Sequence, residues 1–246
     1  CCHAVTSWLT DVQTKAVSQA KNNFSWFELL IEQPLRYFAS VVPLSDEENR
    51  LVERTWDLLT PLRWMRLPLV TDHGDLSHPN IILLENGGLG VVDWELADPL
   101  GLPAHDLFFF LTYVAFARHK ACARGNYLRP FHDAFFKDGS WASPYIKHYA
   151  NQLQLSSQAL TPLFILTWVR YVAGILTRAN RVGQIHGQLD LETTAWLRVN
   201  RYYQLWRHAV THVDELNWDQ VVAESSLKPR HRHAKASNPW RSWTPK

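Results

Sequence analysis

Glycine is absent from the first 72 residues, and the only lysines among them are Lys15 and Lys21, both in a polar stretch of helical character. That excludes from this stretch a glycine-rich loop over phosphates and a strand lysine to pair with them. The three cysteines, Cys1, Cys2 and Cys122, make no even framework and have no metal-ligand spacing. A disulfide scaffold is excluded, and a reducing compartment is favoured. Long apolar runs are also missing: Leu107 to Ala117 is short and Leu163 to Leu176 is interrupted by Arg170. Neither makes a good membrane span at the roughly 20 residues one requires. No basic-then-apolar signal peptide stands at the start. Methionine occurs once, as Met65, and not at position 1, so the expectation is a piece of a longer product located in the cytoplasm.

What is present has an ordinary globular balance, 46% hydrophobic and 20% charged over 246 residues, with material for one core. The formal charge of +2 hides an asymmetry, because residues 228–246 hold six Lys/Arg and no acid, which leaves residues 1–227 at −4. The segment 228–246 is broken by three prolines and has no apolar periodicity. It reads as a solvated, disordered tail, with no nucleic-acid partner expected.

Residues 1–227 read as a mainly α unit around one short β-hairpin, divided into a helical segment 1–66, a loop-and-hairpin segment 67–111 and a helical bundle 112–227. Ser45-Asp46-Glu47-Glu48 is a capping-box pattern, and Leu51, Val52, Trp56 and Leu59 recur at helical spacing until Pro61. Leu67 to Leu69 reads as a short extended piece. Ile81 to Leu84 and Leu89 to Val92 flank Asn86-Gly87-Gly88, a strong hairpin signal. Asp98 to Pro103 reads as a loop from its Pro and Gly content. Helices are expected over Ala104–Arg118, Leu160–Arg181 and Asp190–Leu216, the last with Trp196, Val199, Tyr203, Trp206, Val210 and Val213 in one stripe.

The chemistry concentrates in His73-Gly74-Asp75-Leu76-Ser77-His78-Pro79-Asn80 and in Asp93, thirteen residues beyond Asn80. The run fits the kinase-type pattern H-x-D-L-x-x-x-N, and phosphoryl transfer has a task for each residue. Asp75 suits the group that orients the attacking hydroxyl and accepts its proton. Asn80 and Asp93 offer hard oxygens of the kind Mg²⁺ takes. Asn80 enters the hairpin and Asp93 leaves it, so antiparallel pairing brings them to the same end. His73 reads as a brace for the loop.

His73-Gly74-Asp75-Leu76, Asn80-Ile81-Ile82-Leu83, Val91-Val92-Asp93-Trp94-Glu95 and Gly101-Leu102-Pro103-Ala104-His105-Asp106-Leu107 together resemble the aminoglycoside phosphotransferase and choline kinase group of small-molecule kinases. The resemblance is specific from about Pro68 to Leu111. It implies the C-terminal lobe of a protein-kinase-like α+β fold, with Asp75 as catalytic base, Asn80 and Asp93 as magnesium ligands and Asp106 as an internal brace. It further implies ATP as phosphoryl donor, Mg²⁺ as cofactor and a small-molecule hydroxyl as acceptor.

Gly74 and Trp94-Glu95 stand where protein kinases usually carry Arg and Phe-Gly, which favours small-molecule over protein substrates. Ser77-His78-Pro79 replaces the group's common His-Pro-Gly without altering the spacing from Asp75 to Asn80. Residues 1–66 resemble the helical segment that in this group follows the nucleotide lobe, so that lobe is expected upstream of Cys1 in the full-length chain. Glu95 and Asp98 are candidate acids for a cationic acceptor such as an amino sugar or amino alcohol. Two other classes remain open. One is a kinase-like lobe kept only for binding. The other is a metallohydrolase built on His73, Asp75, His78 and Asp93, although His105, His132 and His148 follow no recognised ligand spacing.

Overall fold

Ser45 opens the best-defined helix of the N-terminal segment, accepting the N–H of Glu48 while the Glu48 carboxylate accepts the N–H of Ser45 at 2.8 Å. Two of the donors that a helix start leaves unpaired are satisfied in this way. The helix, α3 (Asp46–Leu59), buries Leu51, Val52, Trp56 and Leu59 and passes at Thr60–Trp64 into a 3-10 turn containing Pro61. The computed structural model describes residues 2–16, 26–85, 88–121, 125–181 and 187–218. The Asn86-Gly87 turn and the basic tail 228–246 lie outside them.

Before α3 come α1 (Cys2–Lys15), a short π-helix (Glu28–Glu32) and α2 (Gln33–Val41). Two small antiparallel sheets follow. One pairs β1 (Val70–Asp72) with β4 (Asp98–Gly101), and the other pairs β2 (Ile81–Leu83) with β3 (Leu89–Val91) in the register Ile81 to Val91, Ile82 to Gly90 and Leu83 to Leu89. The rest is helical: α4 (His105–His119), α5 (Leu128–Phe135), α6 (Ser143–Gln152), α7 (Ser157–Arg181), α8 (Leu191–Val199) and α9 (Arg201–Thr211).

The core is built on α7, against which α2, α3, α4 and α9 pack. By length and composition alone α7 would cross a membrane, yet 78% of its most apolar window is buried inside the protein. Helix α4 is apolar on every face, with Phe108, Phe109, Phe110 and Phe116 at most 1% exposed, as befits a helix surrounded by others.

Three expectations need correction. The extended piece before the motif is Val70–Asp72 and not Leu67–Leu69. Asp98–Gly101, expected as loop, is a strand, and Gly101 has a local reason: a Cβ there would overlap the Asp72 carboxylate on the facing strand. Asp190–Leu216 is not one helix. It breaks at Asn200, whose side chain accepts the N–H of Tyr202 and caps α9. Tyr203, Trp206, Val210 and Val213 are buried, whereas Trp196 and Val199 on α8 are 49% and 76% exposed.

Candidate active site

The segment from His73 to Asn80 is held by α4 and α7, and the strand before it by α1. Strand β1 ends at Asp72, and the chain turns at Gly74 with φ +82, where a Cβ would overlap the carbonyl oxygen of Leu96. Only glycine takes this left-handed backbone with another carbonyl so close. Leu76 anchors the loop in the core at 0% exposure, and the 3-10 turn His78–Asn80 leads into β2. From α4, fully buried Asp106 accepts the N–H of His73 at 2.7 Å and that of Gly74 at 3.0 Å. From α7, the Tyr171 hydroxyl donates to the Gly74 carbonyl at 2.6 Å. From α1, buried Gln13 donates to the Thr71 carbonyl at 3.0 Å, and Tyr149 of α6 donates to Gln13 while accepting the N–H of Ala104.

His73 ties this loop to the hairpin. Its Nδ1 lies 3.2 Å from the N–H of Asp75 and its Nε2 lies 2.9 Å from the carbonyl of Val92. An amide can only donate and a carbonyl only accept, so the ring is the tautomer protonated at Nε2. Its face meets Trp94 at 4.7 Å between ring centres. The residue before Asp93 is therefore fixed to the residue two before Asp75.

Asp75 and Asn80 touch directly. The Asn80 amide nitrogen donates to the backbone oxygen of Asp75 at 2.9 Å and to its carboxylate at 3.3 Å. Both partners only accept, which fixes the amide, and among the described residues its oxygen has no hydrogen bond. At the open end of the hairpin the N–H of Val92 donates to the Asn80 carbonyl at 3.0 Å. Asp93 follows with φ +65, and among the described residues its carboxylate has no hydrogen bond or ion pair. Burial pushes the Asp75 carboxyl above its ordinary value and the Asp93 charge adds to this, while Asn80, His73 and Arg178 oppose it. The Asp93 charge acting on Asp75, which is itself bonded to the Asn80 side chain, makes a set of oxygen donors whose repulsion a divalent cation would relieve.

A second buried carboxylate lies behind the loop. Asp72 is 0% exposed and pairs with Arg170 of α7 at 2.8 Å. Burial pushes its carboxyl up, with Asp106 adding to the rise and Arg170 opposing it. Arg170 also lies 3.9 Å from Asp98, whose carboxylate accepts the N–H of Leu100.

Of the candidates from sequence, His73, Asp75, Asn80 and Asp106 are brought into one bonded network, and Asp93 lies near enough for its charge to act on Asp75. Glu95 is exposed and Asp98 is engaged by Arg170. The set His73, Asp75, His78 and Asp93 does not gather as a metal cluster among the described residues. Two clefts, one lined by α3 and α9 residues and one near Glu215, touch neither Asp75 nor Asp93. Gln13, Tyr149 and Arg170 went unread as supports of the loop, because each acts from 58 to 136 residues away in sequence. A charged residue inside the apolar run of α7 was the one visible signal.

A family model for the phosphotransferase enzyme family matches residues 7–143. No curated protein matches the chain. Among solved structures, choline kinase LicA from Streptococcus pneumoniae superposes with a TM-score of 0.50 at 16% identity, over 87% of this chain and 63% of that one. Amicoumacin kinase hAmiN, in complex with AMP-PNP, Ca²⁺ and Ami, superposes with a TM-score of 0.44 at 17% identity, over 85% of this chain and 57% of that one. The first likeness is one of fold, and this chain spans less than two thirds of the length of either kinase.

Proposed function

This chain belongs to the phosphotransferase enzyme family, and from that premise we propose that it carries the catalytic half of an ATP- and Mg²⁺-dependent kinase acting on a hydroxyl of a small molecule. The observation that carries the proposal is the contact of Asn80 with Asp75, within reach of the charge of Asp93, whose carboxylate has no hydrogen bond or ion pair among the described residues. Asp75 is the catalytic base: its carboxylate takes the proton of the acceptor hydroxyl as that oxygen forms its bond to the γ-phosphorus and the bond to the β-phosphate oxygen breaks, releasing ADP. The Asn80 amide oxygen and the Asp93 carboxylate would hold Mg²⁺. When bound, the ion supplies neutralising charge to the phosphates. His73 and Asp106 fix the loop so that Asp75 meets the hydroxyl in one orientation.

With Asp98 engaged by Arg170, Glu95 is the acid left to meet a cationic acceptor, an amino sugar or amino alcohol. The hairpin supports a further part of the proposal. Ile82, Leu83, Leu84 and Val92 are 42% to 60% exposed, and a two-stranded hairpin with apolar side chains on both faces is marginal unless covered. We assign that cover, and the cradle for the nucleotide, to a nucleotide-binding lobe upstream of Cys1. A cytoplasmic setting belongs to the same reading.

The test is transfer of labelled γ-phosphate from ATP to a panel of hydroxyl compounds by the full-length protein. Acceptor-dependent, Mg²⁺-dependent labelling is expected, with none from the 246-residue chain alone. Turnover by that isolated chain contradicts the division of labour. Full-length protein that binds ATP and labels no acceptor supports a binding module instead.

A further inference from the structure

Three histidines from the C-terminal helices meet without any part in the chemistry proposed above. His208 stands in the last turn of α9 and His212 at its C-terminal cap, their ring centres 4.2 Å apart. His132 reaches them from α5, with its Nδ1 3.2 Å from the Nε2 of His208. One ligand nitrogen from each ring falls within 4.8 Å of the others. Below them the 3-10 turn Val213–Glu215 brings in a carboxylate: Glu215 lies 2.6 Å from the Nδ1 of His212 and 3.6 Å from the Nε2 of His132.

We propose that His132, His208 and His212 form a binding site for a zinc-type divalent cation, oriented by Glu215. The nitrogens divide accordingly. His132 Nε2 and His212 Nδ1 face Glu215, which leaves His132 Nδ1, His208 Nε2 and His212 Nε2 to take the ion. A carboxylate on the distal nitrogen of a ligating histidine fixes its tautomer and raises its basicity. Tetrahedral bonds of about 2.0–2.1 Å place two ligand nitrogens about 3.3 Å apart, close to the 3.2 Å between His132 and His208. When the ion takes the place of the proton between those two rings, that proton passes through solvent to the Nδ1 of His208, so all three imidazoles stay neutral. Three neutral imidazoles select zinc or a similar late first-row ion over Mg²⁺, which prefers oxygen, so this site does not compete with Asn80 and Asp93.

The surroundings suit such a role. Phe136 stacks on His132 at 5.2 Å and meets His208 edge-on at 5.3 Å, walling one side. The side chains of His132 and His212 remain 28% and 35% exposed, so an ion can enter and a water can fill the fourth position. Bound metal would clip α5 to α9 and to the turn that follows, stabilising the bundle by mass action on the folded state. The ligands come from positions 76 residues apart, which is why sequence spacing did not reveal them; the i, i+4 pair His208 and His212 was the legible half.

The experiment is a titration of metal-stripped, untagged full-length protein with Zn²⁺, read by calorimetry and by melting temperature, with Co²⁺ substitution read by its visible absorption. One equivalent of Zn²⁺ is expected at this site, with a rise in melting temperature and a tetrahedral Co²⁺ spectrum. His132→Ala and His212→Ala should each weaken binding at least 100-fold, and Glu215→Gln should weaken it roughly 10- to 100-fold, the range found for supporting carboxylates. Asp93→Asn and the tail double variant His231→Ala/His233→Ala should leave it unchanged. Absence of Zn²⁺ uptake overturns the proposal. So does uptake that survives both His132→Ala and His212→Ala, or that is lost with the tail histidines.

Discussion

Asp106 reaches back across 33 residues to accept the backbone N–H of His73 at 2.7 Å, and its second oxygen takes the next N–H, that of Gly74, at 3.0 Å. The loop presenting Asp75 is thus fixed by a charge rather than by its own turns. Asp106→Ala takes the acceptor from the buried N–H of His73 and the part-buried N–H of Gly74. A cost of about 3 kcal/mol is expected, from the usual value of hydrogen bonds to charged groups. It would appear as a lower urea midpoint, together with lost turnover in the full-length protein.

Gly74 allows a sharper measurement. Gly74→Ala must adopt φ +82 and overlap the Leu96 carbonyl, whereas Gly139, at φ +64, has nothing within 4 Å of the position its Cβ would take. Left-handed backbone costs a non-glycine residue roughly 1–3 kcal/mol, so Gly139→Ala should show that strain alone. Gly74→Ala should lose more stability than Gly139→Ala, and equal losses would mean that the close approach of Leu96 is relieved at no cost.

Arg170 is the counter-charge for Asp72, which is 0% exposed. Arg170→Met should destabilise by about 3–5 kcal/mol, since it leaves a buried carboxylate alone. Adding Asp72→Asn should recover a substantial part of the loss in the same urea titration. Additive losses would show that the pair is not coupled.

The parts of the fold that sequence makes legible are those closed by local rules. Ser45 and Glu48 sit three residues apart and cap each other, and the apolar runs Ile81–Leu83 and Leu89–Val91 pair with one another. Strand β4 escaped because Asp98, Pro99 and Gly101 carry loop chemistry. It becomes a strand only by facing β1, where Gly101 fits over Asp72. The break at Asn200 escaped because the apolar stripe runs through it without a gap in period; the cap that Asn200 gives Tyr202 competes with that stripe and wins. In the candidate site, Asp75, Asn80 and Asp93 were readable because a hairpin closes their spacing. Gln13, Tyr149, Arg170 and Tyr171 were not, since helices distant in sequence deliver them.

Stability toward acid should report on Glu48. Burial pushes its carboxyl up, but the Arg198 guanidinium, the N–H and hydroxyl of Ser45 and the hydroxyl of Tyr203 outweigh this and hold it at about 2, below its ordinary 4.5. The folded state therefore binds the proton less readily than the unfolded chain. This contribution is fully present above pH 4.5 and is lost as the pH falls from there toward about 2, in the sense that linkage requires. Glu48→Gln should flatten the pH dependence of the melting temperature across that window. An unchanged slope would place the acid sensitivity elsewhere.

The central claim is that Asp75 takes the proton of an acceptor hydroxyl. Its most direct test is the pH profile of kcat/KM for phosphate transfer by full-length protein, measured for the wild type and for Asp75→Asn. The wild type should lose activity on the acid side as the Asp75 carboxylate takes up a proton and ceases to be a base. Asp75→Asn should fall by about 10²- to 10⁴-fold, the range for loss of a general base, and should lose that acid limb. Turnover by Asp75→Asn at the wild-type rate with the acid limb intact would contradict the account.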